Sequence, residues 1–291
     1  MIPDTAFNHR KSQFREFELI DLHRMYQQRD QLGQPPHQPH RLKFYNLLYV
    51  RSGAGQHMVD LQMHTFKPGS LILVQPNQIQ AFDFSSPVAG KLLLFTQAFL
   101  DQVHANMRLP SFTPTHLTKG FHPLTDAPPL VTERLDMLLR QLELESDHPD
   151  MDALIVMHLF SALFLLLHRE NPGLCHTGLS ESRTHQLGTF MSLLKQEYTH
   201  QREAEWYANQ MHTTYKTLNQ LCKQATGQTA KQLINAYTIL EAKRRLVISG
   251  IQVQQLSYEL GFEDASNFIK YFKKLTGITP KQFRLTHHQN S

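Results

Sequence analysis

The sequence predicts an α+β chain: a small β-sandwich or barrel near the N-terminus, two long helices behind it, and an all-α C-terminal domain of two helix-turn-helix units. Three features carry that prediction. Between Phe44 and Phe95 short β-type runs alternate with turn residues; from Leu130 to Leu167 the apolar spacing becomes helical; and a segment starting at Lys223 returns at Lys273.

At 291 residues the chain exceeds one average domain, so two are expected. The reading assigns 1–175 to the first, 176–183 to a linker and 184–291 to the second, with Asn171-Pro172-Gly173 closing the first. Residues 1–36 are polar and read as irregular, Gln31–Pro36 as a loop. The expected strands are Phe44–Val50, Gln56–Asp60, Leu71–Val74, Phe82–Phe84 and Lys91–Phe95. Between them stand Ser52-Gly53-Ala54-Gly55, Lys67-Pro68-Gly69 and Pro76-Asn77, the punctuation of a sandwich or barrel.

Leu130–Leu144 and Met151–Leu167 read as amphipathic or buried helices, divided at Ser146-Asp147-His148-Pro149. Ala153–Leu167 is apolar except for His158 and Ser161. It falls short of the roughly 20 residues that span a bilayer, so a core or dimer-interface helix is expected and no membrane contact. Met1–Arg10 lacks the apolar centre of a secretory signal, and two isolated cysteines, Cys175 and Cys222, make neither a disulfide framework nor a zinc site. Both observations fit a cytoplasmic protein.

Charge separates the halves. Residues 1–180 carry 15 Lys+Arg against 17 Asp+Glu, whereas 181–291 carry 14 against 8. A basic back half is expected to meet a polyanion.

The repeat is more specific. Lys223–Gln232 and Lys273–Gln282 share six identities at an offset of 50, which indicates one supersecondary unit used twice. In the first copy Trp206–Met211 reads as a helix, His212-Thr213 as a turn, and Thr214 as the N-cap of a second helix from Tyr215 to about Ala225. Leu218, Leu221, Cys222 and Ala225 form its apolar face; Lys216, Asn219, Gln220 and Lys223 form the opposite one. In the second copy Val253–Leu260 is the first helix, Gly261-Phe262 the turn, and Glu263 or Asp264 the cap of the next. Phe268, Tyr271, Phe272 and Leu275 are expected to face inward, Ser266, Ile269, Lys270 and Lys273 outward. Amide, ammonium and methyl groups on one stripe suit base edges, phosphates and thymine methyls. Candidate DNA contacts are therefore Thr214, Lys216, Thr217, Asn219, Gln220 and Lys223 in the first unit. In the second they are Ala265, Ser266, Asn267, Ile269, Lys270 and Lys273. Lys231–Ile248, carrying Lys243-Arg244-Arg245, reads as a continuous helix that spaces the units.

Residues 200–285 closely resemble the DNA-binding domain of AraC/XylS-type bacterial regulators. The phrases that carry the resemblance are Leu218–Gly227, Leu240-Glu-Ala-Lys-Arg-Arg-Leu246, Leu260-Gly-Phe-Glu-Asp-Ala-Ser-Asn-Phe268 and Phe272–Arg284. The resemblance implies two recognition helices in neighbouring major-groove segments, with base contacts at Lys216, Asn219 and Gln220, then at Ala265, Ser266, Asn267 and Lys270. It also implies double-stranded DNA and RNA polymerase as partners, and an activator. The chain departs from the family where Tyr237-Thr238 replace a frequent Arg, and where a Gly is absent near His212.

Residues 37–100 resemble the cupin-like effector barrel of many such regulators, through Phe44-Tyr45-Asn46, Ser52–Gly55, Lys67–Ser70 and Lys91–Phe95. That implies a small-molecule effector and a homodimer formed by the helices that follow. Tyr45, Asn46, Arg51, Gln80 and Phe82 are the candidate effector-binding residues. A cupin-type enzyme and a ligand-independent DNA-binding dimer are the competing readings. The metal-binding pattern of catalytic cupins is broken: Leu42 stands where a second His would follow His40, and Gln80 where the later His belongs. No catalytic residues, metal or cofactor are expected.

Overall fold

The structure, a computed structural model, describes residues 4–5, 16–28, 36–83, 86–107, 123–170, 179–248 and 250–288. Phe84, the expected loop over 31–35, Asn171-Pro172-Gly173, Cys175 and residues 176–178 of the expected linker lie outside the described residues. The described elements form two compact units, one ending with the helix at Glu170 and the other starting with the helix at Glu181.

In the first unit two sheets pack across a shared core. One has the order β1 (Asp4–Thr5), β3 (His40–Leu42), β8 (Ile79–Phe82), β5 (Gly55–Val59), β6 (Gln62–Phe66). The other has the order β10 (Leu124–Asp126), β7 (Ser70–Val74), β4 (Tyr45–Ser52), β9 (Ala89–Phe95), β2 (Phe17–Asp21). Four helices accompany them: α1 (Leu22–Gln27), α2 (Gln97–Met107), α3 (Pro129–Ser146) and α4 (Ala153–Glu170).

Strand β4 is buried on both faces, and the pleat divides its side chains between two cores. Tyr45, Leu47 and Tyr49 join Phe95, Phe99, Phe160 and Phe164 in a core against the helices. Leu48 and Val50 join Phe44, Phe66, Ile72 and Phe82 between the sheets. Helix α3 buries Val131, Leu135, Leu139 and Leu142, a helical spacing along one stripe. Among the described residues no helix is long and apolar enough to cross a membrane.

Three expectations need correction here. The segment read as irregular contains β2 and α1; β2 is stabilised by antiparallel pairing with β9, a long-range contact that local polarity conceals. The expected strand Phe82–Phe84 is displaced, to Ile79–Phe82. Strand β6 was not expected. It follows a two-residue turn in which Asp60 and Leu61 both take positive φ, 48° and 70°, without the glycine that usually marks such a turn. Asp60 holds the turn by accepting from Gln78 Nε2 (2.7 Å) and from the Ile79 amide (3.1 Å).

The second unit is helical: α5 (Glu181–Glu197), α6 (Ala204–Gln210), α7 (Tyr215–Thr226), α8 (Ala230–Ile248), α9 (Val253–Glu259), α10 (Ala265–Thr276) and α11 (Pro280–His288). The repeated segment ends one helix and starts the next in both copies. Gly227 and Gly277 stop α7 and α10 at φ 71° and 84°, donating to the carbonyls of Lys223 (2.9 Å) and Lys273 (2.8 Å). Thr229 and Gln232 then bond reciprocally through side chains and amides, as do Thr279 and Gln282, giving a capping box before α8 and another before α11. Apart from the outward pair Lys223 and Lys273, the identities thus encode the connection between helices.

Inside, Leu218, Leu221 and Cys222 of α7 and Phe268 and Phe272 of α10 are buried as expected. Leu275 is not; it is 41% exposed, one position off the buried stripe. Ala225 and Tyr271 are half-buried. Burial pushes the Cys222 thiol up to about 12, so it is packing material rather than a reactive group.

Candidate nucleic-acid interface and the barrel cluster

Helices α7 and α10 begin alike. Thr214 caps α7 by accepting from the Thr217 amide (3.1 Å), and its hydroxyl lies 2.8 Å from that of Thr217. Asp264 caps α10, accepting from the Asn267 amide (2.8 Å) and from Asn267 Nδ2 (2.7 Å). The turns before them match as well: His212 holds φ 51° where the second unit has Gly261 at 73°. The first unit therefore keeps the left-handed corner without glycine.

On the outward faces Lys216, Gln220 and Lys223 of α7 are exposed, as are Ser266, Asn267, Lys270 and Lys273 of α10. Among the described residues no ion pair engages Lys216, Lys223, Lys270 or Lys273. The remaining candidates sit differently. Asn219 Oδ1 accepts from the Ala230 amide (2.9 Å), so this side chain helps to start α8. Thr214, Thr217 and Asn267 are engaged in the caps. Ala265 and Ile269 are half-buried rather than fully outward.

The cations of α8 are used internally. Arg244 is fully buried and donates to Glu241 Oε1 at 2.5 Å; Arg245 bonds Tyr198 Oη (2.7 Å) and Glu259 Oε2 (3.2 Å); Lys243 lies 5.4 Å from the Phe283 ring centroid. Lys231 is paired with Glu203 at 2.7 Å. Much of the positive charge counted in the sequence thus holds the unit together, and the unpaired lysines of the two recognition-type helices are what can face phosphate.

The barrel holds a buried polar cluster. Gln80 Oε1 accepts from Asn46 Nδ2 (3.2 Å) and from His57 Nε2 (3.0 Å), and Gln80 Nε2 donates to His40 Nε2 (3.2 Å). His40 Nδ1 donates in turn to the Gln38 carbonyl (2.9 Å). Asn46 and Gln80, two of the proposed effector contacts, therefore meet across the sheets, and Phe82 is beside them with its ring 5.2 Å from that of His57. Tyr45 does not join this cluster. As the neighbour of Asn46 on a pleated strand it points the other way, stacks on Phe95 and donates to Gln97 Oε1 (2.9 Å). Arg51 is exposed and paired with Asp136 of α3 at 3.5 Å. His57, opposite His64 in the β5–β6 register, was missed because isolated histidines on a strand do not reveal a shared face.

Both histidines of the cluster are held neutral by burial, which lowers His40 and brings His57 down to about 3. An unfolded chain takes up the His57 proton first as pH falls, since its group titrates near the ordinary 6.5. Stability is thus complete above about 6.5 and declines toward pH 3, by up to about 1.4 kcal/mol per pH unit for this group. Denaturant titrations between pH 7.5 and 5 are expected to show the decline, and His57→Gln to flatten it. An unaltered slope in the variant would assign the protonation to another group.

Two capped helix pairs with basic outer faces, in a chain that also carries a ligand-barrel unit, define a DNA-binding transcription regulator. Comparison with known proteins agrees. The profile of the AraC-like ligand binding domain matches residues 25–163, and that of a helix-turn-helix domain matches residues 207–286. Along most of its length the chain is thus similar to AraC-type transcription regulators. It is 23% identical over 251 residues to the HTH-type transcriptional activator RhaS of Escherichia coli O6:H1, covering 84% of this chain and 86% of that one. Solved structures with similarity include fatty-acid-bound ToxT of Vibrio cholerae, at 14% identity, TM-score 0.44 and coverage of 95% and 97%. They also include the DNA-bound domain of AdpA, at 19% identity, TM-score 0.33 and coverage of 36% and 95%.

Proposed function

We propose that the protein is a transcription activator, and not an enzyme, that works as a homodimer in the cytoplasm and reads operator DNA with α7 and α10. The observation that carries this reading is the pair of matching capped helices whose outward lysines have no acidic partner among the described residues. The activating sign is taken from curated relatives named as transcriptional activators, and contact with RNA polymerase follows from it. The domain limits 1–175 and 184–291 belong to the same reading.

Base contacts are assigned to Lys216, Gln220, Ser266 and Lys270, with Lys223 and Lys273 toward phosphates and Thr214, Thr217, Asn219 and Asn267 holding the helix starts. Ala265 and Ile269 offer apolar contact to thymine methyls. Each protomer is expected to protect two major-groove segments about 10 base pairs apart in a footprint. Protection of a single segment would refute the two-helix reading. Lys270→Ala is expected to cost about 1–3 kcal/mol and to relax preference at one base pair, measured by competition with single-base operator variants. Equal weakening on every sequence would make Lys270 a phosphate contact instead.

The barrel is read as the effector site, with Asn46, His57, Gln80 and Phe82 its lining. Among the described residues Asn46 Oδ1 and His57 Nδ1 are buried acceptors without a hydrogen-bond partner, and His40 and His57 are held neutral by burial. Such a lining suits an uncharged molecule that donates hydrogen bonds. A thermal-shift screen comparing neutral hydroxyl-bearing compounds with carboxylates tests this, and stabilisation by carboxylates alone would contradict it.

The homodimer is assigned to α3. Leu130, Met137 and Leu144 are exposed at 75%, 57% and 57%, seven residues apart on one helical stripe. An antiparallel copy centred on Met137 would set Leu130 against Leu144 of the partner helix, in both directions. Met137→Asp is expected to yield monomers in sedimentation analysis, and dimers of unchanged strength would place the interface elsewhere.

A further inference from the structure

The two recognition-type helices can engage neighbouring groove segments together only if the distance between them is held. The sequence suggests that α8 alone does this. The structure contains a second link, formed by the segment Thr199–Glu203 between α5 and α6.

That segment is fastened to the first helix-turn-helix unit. The Gln201 carbonyl accepts from Tyr207 Oη of α6 (2.9 Å), and Lys231 Nζ at the start of α8 reaches the Arg202 carbonyl (2.8 Å) and Glu203 Oε1 (2.7 Å). Its other side receives the turn of the second unit. Arg202 Nη2 donates to the Leu260 carbonyl at 2.6 Å, at the C-terminal end of α9, where helix carbonyls lack internal partners and favour a cation. The same guanidinium lies 3.7 Å from the Phe262 ring centroid. A planar, delocalised cation can make both contacts at once, which an ammonium cannot. Gly261 closes the fit, since a Cβ there would lie 1.7 Å from the Thr199 carbonyl oxygen. From Phe262 the contact runs on into the recognition helix, through rings 5.3 Å away on Phe268 and on Tyr271. Arg245, bridging Tyr198 and Glu259, ties the same two places together beside it.

We propose that Arg202 is a positioning residue that sets the separation of α7 and α10, and through it the half-site spacing that the protein accepts. The proposal rests on the reading that both helices contact DNA. The test uses the full chain and the duplex it selects from a random-sequence library, together with versions in which one or two base pairs are inserted between, or removed from between, the half-sites. The unmodified protein is expected to lose about tenfold or more in affinity on the altered spacings. Arg202→Ala should bind the selected duplex about tenfold more weakly, and its penalty for altered spacing should shrink to less than about threefold. Arg202→Lys, which keeps a donor for Leu260 but not the stacked plane, should fall between the two, and circular dichroism confirms that each variant is folded. If Arg202→Ala and Arg202→Lys keep the full spacing penalty, Arg202 does not set the spacing and the proposal is overturned. If the unmodified protein itself ignores spacing, the two-helix reading fails, and the proposal with it.

Discussion

Gly261→Ala is expected to destabilise the second helix-turn-helix unit by about 2–5 kcal/mol, and with it to abolish protection of one of the two groove segments. Two costs add. A residue with a Cβ at φ 73° pays about 1–2 kcal/mol for the left-handed conformation. The new methyl would also meet the Thr199 carbonyl oxygen, which is backbone and cannot rotate away, so the turn must move off its support at about 1–3 kcal/mol. Gly277→Ala separates the terms: that glycine has φ 84° but nothing within 4 Å of its would-be Cβ, so only the first cost applies. Hydrogen exchange of the α9 and α10 amides measures both. Equal effects of the two substitutions would show that the close approach of the Gly261 turn to Thr199 contributes nothing.

The second large effect lies in α8. Arg244 and Glu241 have side-chain exposures of 0% and 2%, with Nη1 and Oε1 2.5 Å apart. Glu241→Ala would leave a guanidinium buried without its carboxylate, and about 3–5 kcal/mol of stability is expected to go. Joint replacement, Glu241→Leu with Arg244→Met, removes both desolvation costs and should leave the unit close to its original stability or above it by up to about 4 kcal/mol. Denaturant unfolding of the two variants decides the matter. A double variant as unstable as the single one would mean that the pair does more than satisfy itself, for instance by holding neighbours of α8 through other contacts.

Helix-turn-helix architecture was readable in the sequence because caps, stops and apolar spacing are local. Thr214, Gly227 and Gly277 act within a few residues of themselves, and Gly261 meets the same local demand for a positive φ besides its approach to Thr199. Strand β6 was not readable, because Asp60 and Leu61 take the angles that Asn-Gly usually signals, and Asp60 is held there by Gln78 and Ile79 where another strand begins. Lys243-Arg244-Arg245 add to the positive charge counted over 181–291; whether a cation meets solvent, a carboxylate or a ring depends on what folds over it. Asn219 and Tyr45 illustrate the same limit, one drawn from a groove-facing stripe into a helix cap and the other turned from the barrel toward the helices.

The sequence alone determined the class of the fold, the doubling of the helix pair, the positions of its corners and the lysines that stand on its outer faces. These depend on periodicity and backbone preference, which act over one or two turns of chain. Only the tertiary structure decided which charges remain available, where His40, His57, Asn46 and Gln80 converge, and that Arg202, beside the first helix pair, grips the turn of the second. Such pairings join residues 23 to 58 positions apart, and their energies arise from desolvation and contact after the chain has folded, for which no local pattern exists.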